Sequence, residues 1–493
     1  MNSDLPRVCI IGAGSSGIAA CRNFKAYGLP YVCYESADRI GGMWAFTNKS
    51  AANGGSAAYR SLHINTSRTQ MGYRDFPMPA DYPDFPGHAQ VAAYFESFVD
   101  HFGLRDTIRL GTTVTRCERR AQGGWTVHLG DGSKAEFDAV VVANGHHWDP
   151  LWPKPLPSGR FDGIQMHAHD YVDPANPHDL RGKRVVVVGM GNSAMDIASE
   201  LGHKENAEAV YLSVRSGTYI LPKYLGSKLV YDILLRHPSN HPGLLERLLW
   251  SLPDAVFDRL LYPLATLGLN LLVGRPERYG LPRPKGWFGQ QHPTISSEIH
   301  IRLGSGDVLP KPPIAELLGD RIRFADDSVE AAQAIIYCTG YRIRFPFLDE
   351  QLISAPDNDI ALYQRMIDPR YPDLLFLGLV QPFCAMMPIA DEQSRWMAEY
   401  LTGQYHPPTA DEMALRMQTE HRRMKRRFVA SPRHTIQINC QEYTYRLAQD
   451  LAEGRRRARS AANALLVPHQ AFPPTAVNAL EIAAGLDGSA KAC

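Results

Sequence analysis

Val8-Cys9-Ile10-Ile11-Gly12-Ala13-Gly14-Ser15-Ser16-Gly17 is the stretch on which the fold turns. Its four leading apolar residues read as a strand buried on both faces, because strict alternation is missing. The following run keeps helical character to Tyr27, and Gly28 ends it. Tyr31–Tyr34 then reads as a second buried strand, closed by Glu35. A strand, a glycine-rich turn, a helix, a strand and a terminal carboxylate form a β-α-β unit built around a dinucleotide. Gly12 permits the tight turn, Gly14 lets a pyrophosphate approach the backbone, and Gly17 lets helix and strand pack closely. The helix N-terminus behind Ala13, Ser15 and Ser16 presents free N–H groups to the phosphates. Glu35 stands where a carboxylate accepts ribose hydroxyls.

The design recurs mid-chain. Val185–Val188 leads into Gly189-Met190-Gly191-Asn192-Ser193-Ala194, a helix-like run to Leu201, and a strand at Ala209–Val214. Ala194 replaces the third glycine, which the turn tolerates. At the strand end stand Ser213, Arg215 and Ser216, with no carboxylate. A carboxylate there repels a 2′-phosphate, whereas arginine and hydroxyl donors bind one. The first unit is therefore expected to hold FAD and the second NADPH; Arg215 paired instead with a protein carboxylate is the alternative.

The chain has 493 residues, more than one core usually spans. With 44% hydrophobic and 21% charged residues it reads as folded, and a net charge of +1 argues against nucleic acid as partner. The basic runs Arg422–Arg427 and Arg455–Arg459 read as solvated helix faces. Eight scattered cysteines, none in a C-x-x-C spacing, suggest neither a redox dithiol nor a zinc knuckle, and suit a reducing compartment. Disulfide reductases share the two-nucleotide plan but need paired cysteines, so the expected electron sink is oxygen or a diffusible acceptor. No signal peptide or membrane span is read, so the expected location is cytoplasmic, without a stable membrane anchor.

The expected fold class is α/β, with two Rossmann-like nucleotide-binding domains, the NADPH domain inserted into the FAD domain. The boundaries read are 1–165 and 331–467 for the FAD domain and 166–330 for the NADPH domain, with a helical insertion at about 225–293 and a flexible tail at 468–493. The insertion reads as packing on the core, as a lid or substrate entrance, or as a membrane-touching face. The chain beyond Ala390 reads as helical through Met424.

Between the two units, Phe161-Asp162-Gly163-Ile164-Gln165-Met166-His167-Ala168-His169-Asp170-Tyr171 fits F-x-G-x-x-x-H-x-x-x-Y. This stretch resembles the identifying sequence of flavin-containing monooxygenases. Gly41-Gly42-Met43-Trp44 resembles that family's turn beside the flavin, Tyr59–Pro79 its active-site segment, and Cys338-Thr339-Gly340-Tyr341 its A-T-G-Y turn. The resemblance runs from about Arg7 to Leu451.

By that resemblance Asn65 is the catalytic residue, although read alone it also fits a turn cap before Thr66. Gly42, Met43, Trp44 and Thr66 are implied to border the flavin and Ile64 and Asn65 the nicotinamide, with Gln381 near the flavin ring. The implied chemistry is reduction of FAD by NADPH, addition of molecular oxygen as a C4a-hydroperoxide, and oxygenation of an amine or sulfide. The alternative is Baeyer–Villiger conversion of ketones to esters or lactones. That branch usually ends the linker motif in Trp where this chain has Tyr171. A non-oxygenating NADPH-dependent flavoprotein is the rival from another class. A homodimer would be unsurprising.

Overall fold

The computed structural model describes residues 5–47, 56–235, 237, 242–252, 254–429 and 435–463. Two five-stranded parallel sheets organise it. The first takes strands in the order 374–376, 139–142, 8–11, 31–34 and 108–109. The second takes 164–167, 334–337, 184–188, 209–213 and 308–311. In each, the strand before the glycine-rich turn lies centrally, between a strand that follows it and one from much later in the chain. That arrangement leaves a crevice at the carboxyl ends of the strands, where α/β proteins hold their ligands.

The unbroken apolar strands are explained by burial on both faces. Val8 and Ile10 enter the core beneath the helix Ser15–Ala26, while Cys9 and Ile11 enter the opposite core with Trp125 and Phe376. Val185 and Val187 likewise separate from Val186 across the second sheet. The helix Met386–Leu401 packs on Ser15–Ala26. Between them Asn23 donates to the Asp391 carboxylate at 2.9 Å and to the Ser394 hydroxyl at 2.7 Å.

The first sheet draws strands from both ends of the chain and the second from its middle, so one nucleotide unit is inserted in the other. The connections cross side by side: Asp149–Pro150 pairs antiparallel with Tyr341–Arg342. The strand Ala334–Tyr337 pairs with Ile164–His167 and Arg184–Val188 in the second sheet. The second unit therefore extends past residue 330, because backbone pairing holds this strand there.

The insertion is helical at Val230–Leu234, Leu244–Ser251 and Tyr262–Leu272. Tyr262 and Thr266 face inward, whereas Leu244, Leu264, Leu267 and Leu271 are exposed. The helical run expected through Met424 divides into Met386–Leu401 and Ala410–Arg427. Gly403 takes φ +71° and Pro407-Pro408 follow, which a continuous helix does not accommodate. The expected tail, 468–493, lies outside the described residues. Among the described residues no helix is long and apolar enough to cross a membrane.

The cysteine reading is corrected. Cys384 and Cys440 are joined in a disulfide across a sequence separation of 56. Spacing rules miss the pair because its two segments meet only through the short parallel bridge of Gln381–Pro382 with Gln437–Ile438.

Candidate active site

The first turn is set by steric limits. Gly12 takes φ +103°, and a Cβ there would lie 2.7 Å from the Ala143 carbonyl oxygen. A Cβ on Gly17 would lie 1.8 Å from the Gly12 carbonyl oxygen, so helix and turn are in direct backbone contact. Gly14 precedes the helix in an extended conformation and leaves its first turn without a side-chain cap. The Gly42 backbone faces Gly14, with a Cβ on Gly42 only 3.0 Å from the Gly14 Cα. Gly42, Met43 and Trp44 form a short 3-10 turn over that approach. Ser15 accepts a 2.5 Å hydrogen bond at its carbonyl from Tyr73, and Ser16 lies against Gly378.

Glu35 is buried at the end of its strand. Its carboxylate accepts from the Ala13 amide at 2.7 Å and the Ala37 amide at 2.8 Å. An acceptor is thus held at the rim of the turn, where an adenosine ribose would lie.

The second turn repeats the geometry with different side chains. Gly189 takes φ +135° and approaches the Cys338 carbonyl oxygen, 2.6 Å from where a Cβ would stand. Gly191 precedes the helix Asn192–Leu201, again without a side-chain cap. The Asn192 side-chain oxygen accepts from the Ile295 amide at 2.9 Å, Ser193 is half-buried, and Ala194 is buried in the helix–sheet contact. Ser213 departs from expectation: it is buried, and its hydroxyl donates to the Pro312 carbonyl at 3.0 Å. Arg215 and Ser216 are exposed, and among the described residues Arg215 has no ion-pair partner.

The segment after Ser56 crosses between the two units. Tyr59 hydrogen-bonds Asp196 of the second unit's helix, and Arg60 pairs with Asp173 at 2.8 Å. Burial pushes the Asp196 carboxyl up, opposed by its Tyr59 hydrogen bond and by nearby His63 and Lys223. Ile64, Thr66 and Ser67 are buried. Asn65 Oδ1 is buried too, and accepts no hydrogen bond among the described residues.

Sequence reasoning missed Lys223. From the start of the insertion it reaches the Ile64 carbonyl oxygen at 2.9 Å, its ammonium 4.7 Å from the centre of the Phe85 ring. Burial pushes it down from 10.5 to about 8, against the attraction of Asp196. A lysine after a short apolar strand carries no sequence signal of such a contact. Gln381 is half-buried on the bridge to Gln437, and its backbone N–H donates to the Ile436 carbonyl at 2.8 Å.

The linker motif has a structural role. His167 ends the edge strand of the second sheet, its ring against Trp152 and Tyr341 at the crossing of the two connections. Burial, with the field of His169 and against a backbone hydrogen bond at Gly340, pushes it down to about 4, so the imidazole is neutral at pH 7. Tyr171 is fully buried and donates to Glu200 at 2.8 Å. The motif thus fastens the linker to the second unit and to the two crossing connections.

A sequence model described as Flavin-binding monooxygenase-like matches residues 6–454. The chain belongs to this family. It is 34% identical over 447 residues to rabbit (Oryctolagus cuniculus) flavin-containing monooxygenase 5, covering 87% of this chain and 80% of that protein. It is 31% identical over 457 residues to rat (Rattus norvegicus) dimethylaniline monooxygenase [N-oxide-forming] 2, covering 90% and 82%. Among solved structures, S-allyl-L-cysteine S-oxygenase from Allium sativum superposes with a TM-score of 0.66 at 24% identity, covering 93% of this chain and 92% of that one. A steroid monooxygenase bound to NADP gives 0.67 at 19% identity, covering 92% and 98%. At these identities the structural likenesses show the shared fold. The enzyme is a flavin-dependent monooxygenase, with FAD and NADPH as cofactors and oxygen and a small molecule as co-substrates.

Proposed function

We propose that this monooxygenase places FAD on the first glycine turn and NADPH on the second, and oxygenates the nitrogen or sulfur of small amines and sulfides. The observation that carries the site assignment is the buried, unsatisfied Asn65 Oδ1 on the segment joining the two turns. Gly12–Gly17 with Glu35 would hold the adenosine diphosphate part of FAD, and Gly42, Met43, Trp44, Thr66 and Gln381 would border its ring. Gly189, Gly191, Asn192, Ser193 and Ala194 would hold the NADPH pyrophosphate. Arg215 and Ser216 would receive the 2′-phosphate, while Ser213 braces the strand beneath them.

When bound, FAD reduced by NADPH activates oxygen and supplies one oxygen atom to the substrate. The chain's own part is positional. Lys223 holds the Ile64 carbonyl, the Asn65 amide offers a neutral hydrogen bond at the reaction centre, and the seam around Tyr59, Asp196 and Phe85 excludes water. Named relatives that form N-oxides and S-oxides support heteroatom oxygenation. Tyr171 ends the linker motif where the ketone-oxidising branch usually has tryptophan, and its hydroxyl donates to Glu200.

The same reading divides the chain into an FAD domain up to about residue 163 and from about residue 338, and an NADPH domain between them that takes the strand Ile164–His167. It places the enzyme in the cytoplasm, and sedimentation of the purified protein tests whether it is a homodimer. The deciding experiment supplies NADPH and isotopically labelled oxygen with a panel of amines, sulfides and ketones. Labelled N- or S-oxides are expected. Labelled esters or lactones would replace this reading with Baeyer–Villiger chemistry, and absence of label from every product would remove it.

A further inference from the structure

The seven cysteines among the described residues fall into two groups. Cys9, Cys21, Cys33 and Cys117 are buried and unpaired, and Cys338 is unpaired in its turn. Burial pushes the thiols of Cys9, Cys117 and Cys338 up; Cys33 is raised by its hydrogen bond with Cys21 and then by burial. Such thiols are poor nucleophiles. Cys384 and Cys440 differ from these. They are bonded to each other, with Cα atoms 6.1 Å apart. Cys384 is half-buried, while Cys440 is 2% exposed. Each stands at a helix start: Cys384 just before Met386–Leu401, whose first turn has no side-chain cap, and Cys440 as first residue of Cys440–Asn463. The Cys384 amide also donates to Cys440 Sγ at 3.0 Å. Helix N-termini and N–H donors favour a thiolate, so this pair has one reachable sulfur and one stabilised leaving group.

We propose that Cys384 and Cys440 form a thiol–disulfide exchange site for low-molecular-weight thiols. The incoming thiolate attacks Cys384 Sγ, the sulfur–sulfur bond breaks, and its electron pair leaves on Cys440. A second thiolate attacks the outer sulfur of that mixed disulfide, the small thiol's own, so that the small disulfide is released and the electron pair leaves on Cys384. In total two small thiols are oxidised by two electrons, and their two protons pass to Cys384 and Cys440. The reverse sequence closes the bond.

The bond spans the two-residue bridge that holds Gln381 and Pro382 to Gln437 and Ile438. Phe383, between them, stacks on His292 with ring centroids 5.4 Å apart, and Gln437 contacts His292 at 3.3 Å. Opening the bond therefore loosens the segment that carries Gln381. Its effect at the flavin rests on the function proposed above; the exchange does not.

The test equilibrates the full-length flavoprotein in glutathione buffers of graded reduced-to-oxidised ratio. The samples are quenched with acid, alkylated under denaturing conditions and mapped by peptide mass. Cys384 and Cys440 are expected to pass together from joined to alkylated, while Cys9, Cys21, Cys33, Cys117 and Cys338 remain thiols throughout. Opening the loop should lower Tm by about 4 °C. Cys440→Ser should accumulate glutathione on Cys384, whereas Cys384→Ser should leave Cys440 unmodified. If the two cysteines are never joined at any ratio, or stay joined in fully reduced glutathione, the proposal fails. The wild-type titration alone decides this should either variant not fold. Loss of monooxygenase activity in every buffer with a normal redox titration would count against the proposed function and leave the exchange site standing.

Discussion

The two glycine-rich turns share a backbone and differ in what surrounds it. In the first, Gly17 meets the Gly12 carbonyl and Glu35 is buried against the Ala13 amide. In the second, Ala194 occupies the third position, Ser213 is buried in the strand, and Arg215 is left exposed. The common part presents a helix N-terminus to a pyrophosphate. The differing part lies at the end of the following strand, where one turn offers a carboxylate and the other a guanidinium. In the function proposed above, one device serves two nucleotides, distinguished by a side chain outside the turn.

Changing the packing of the first turn should have the largest effect. Gly17→Val drives atoms into the Gly12 carbonyl, so the protein is expected to purify without flavin colour. Ala194→Gly at the equivalent place should cost only about 1 kcal/mol of stability, read from denaturant unfolding. Equal tolerance at both sites would mean that the contact of Gly17 with the Gly12 carbonyl does not hold the first turn.

Asn65 belongs to neither turn and tests what joins them. Asn65→Ala should retain both cofactors, seen by visible absorbance and NADPH titration, while lowering oxygenation about 100-fold. A wild-type rate would return Asn65 to the role of a turn cap.

Arg215→Ala should raise KM for NADPH about 30-fold and leave that for NADH nearly unchanged. An equal rise for both cofactors would remove the distinction drawn between the two strand ends.

The smallest effect is expected from pH. Lys223 lies near 8 in the folded protein against an ordinary 10.5, so raising pH through 8 neutralises it while an unfolded lysine stays charged. Its charged hydrogen bond to Ile64 is then lost, and oxygenation should fall about 3-fold on the alkaline side. Lys223→Arg should abolish that fall. The stability effect has the opposite sign: the cost of burying the ammonium is full below pH 8 and fades as pH rises toward 10.5. A profile unchanged by Lys223→Arg would assign the alkaline limb to another group.

Much of this was legible from local chemistry. A buried strand followed by glycines at fixed places has few conformations open to it, so Val8–Gly17 and Val185–Ala194 disclosed both nucleotide units. Glu35 and Arg215 were readable because each follows its own strand. The burial of Ser213 was not readable, since its hydroxyl is turned to the Pro312 carbonyl, far along the chain. The helix break near Gly403 was passed over because helical residues flank it closely on both sides.

Sequence by itself determined the parallel α/β units, the two glycine-rich turns and the family, because glycine conformation and strand burial are decided within a few residues. Tertiary structure alone decided that Lys223 grips Ile64, that His167 sits neutral where the two connections cross, and that Cys384 meets Cys440. Each of those depends on residues distant in sequence, brought together by the packing of whole sheets and helices, and no local spacing encodes that approach.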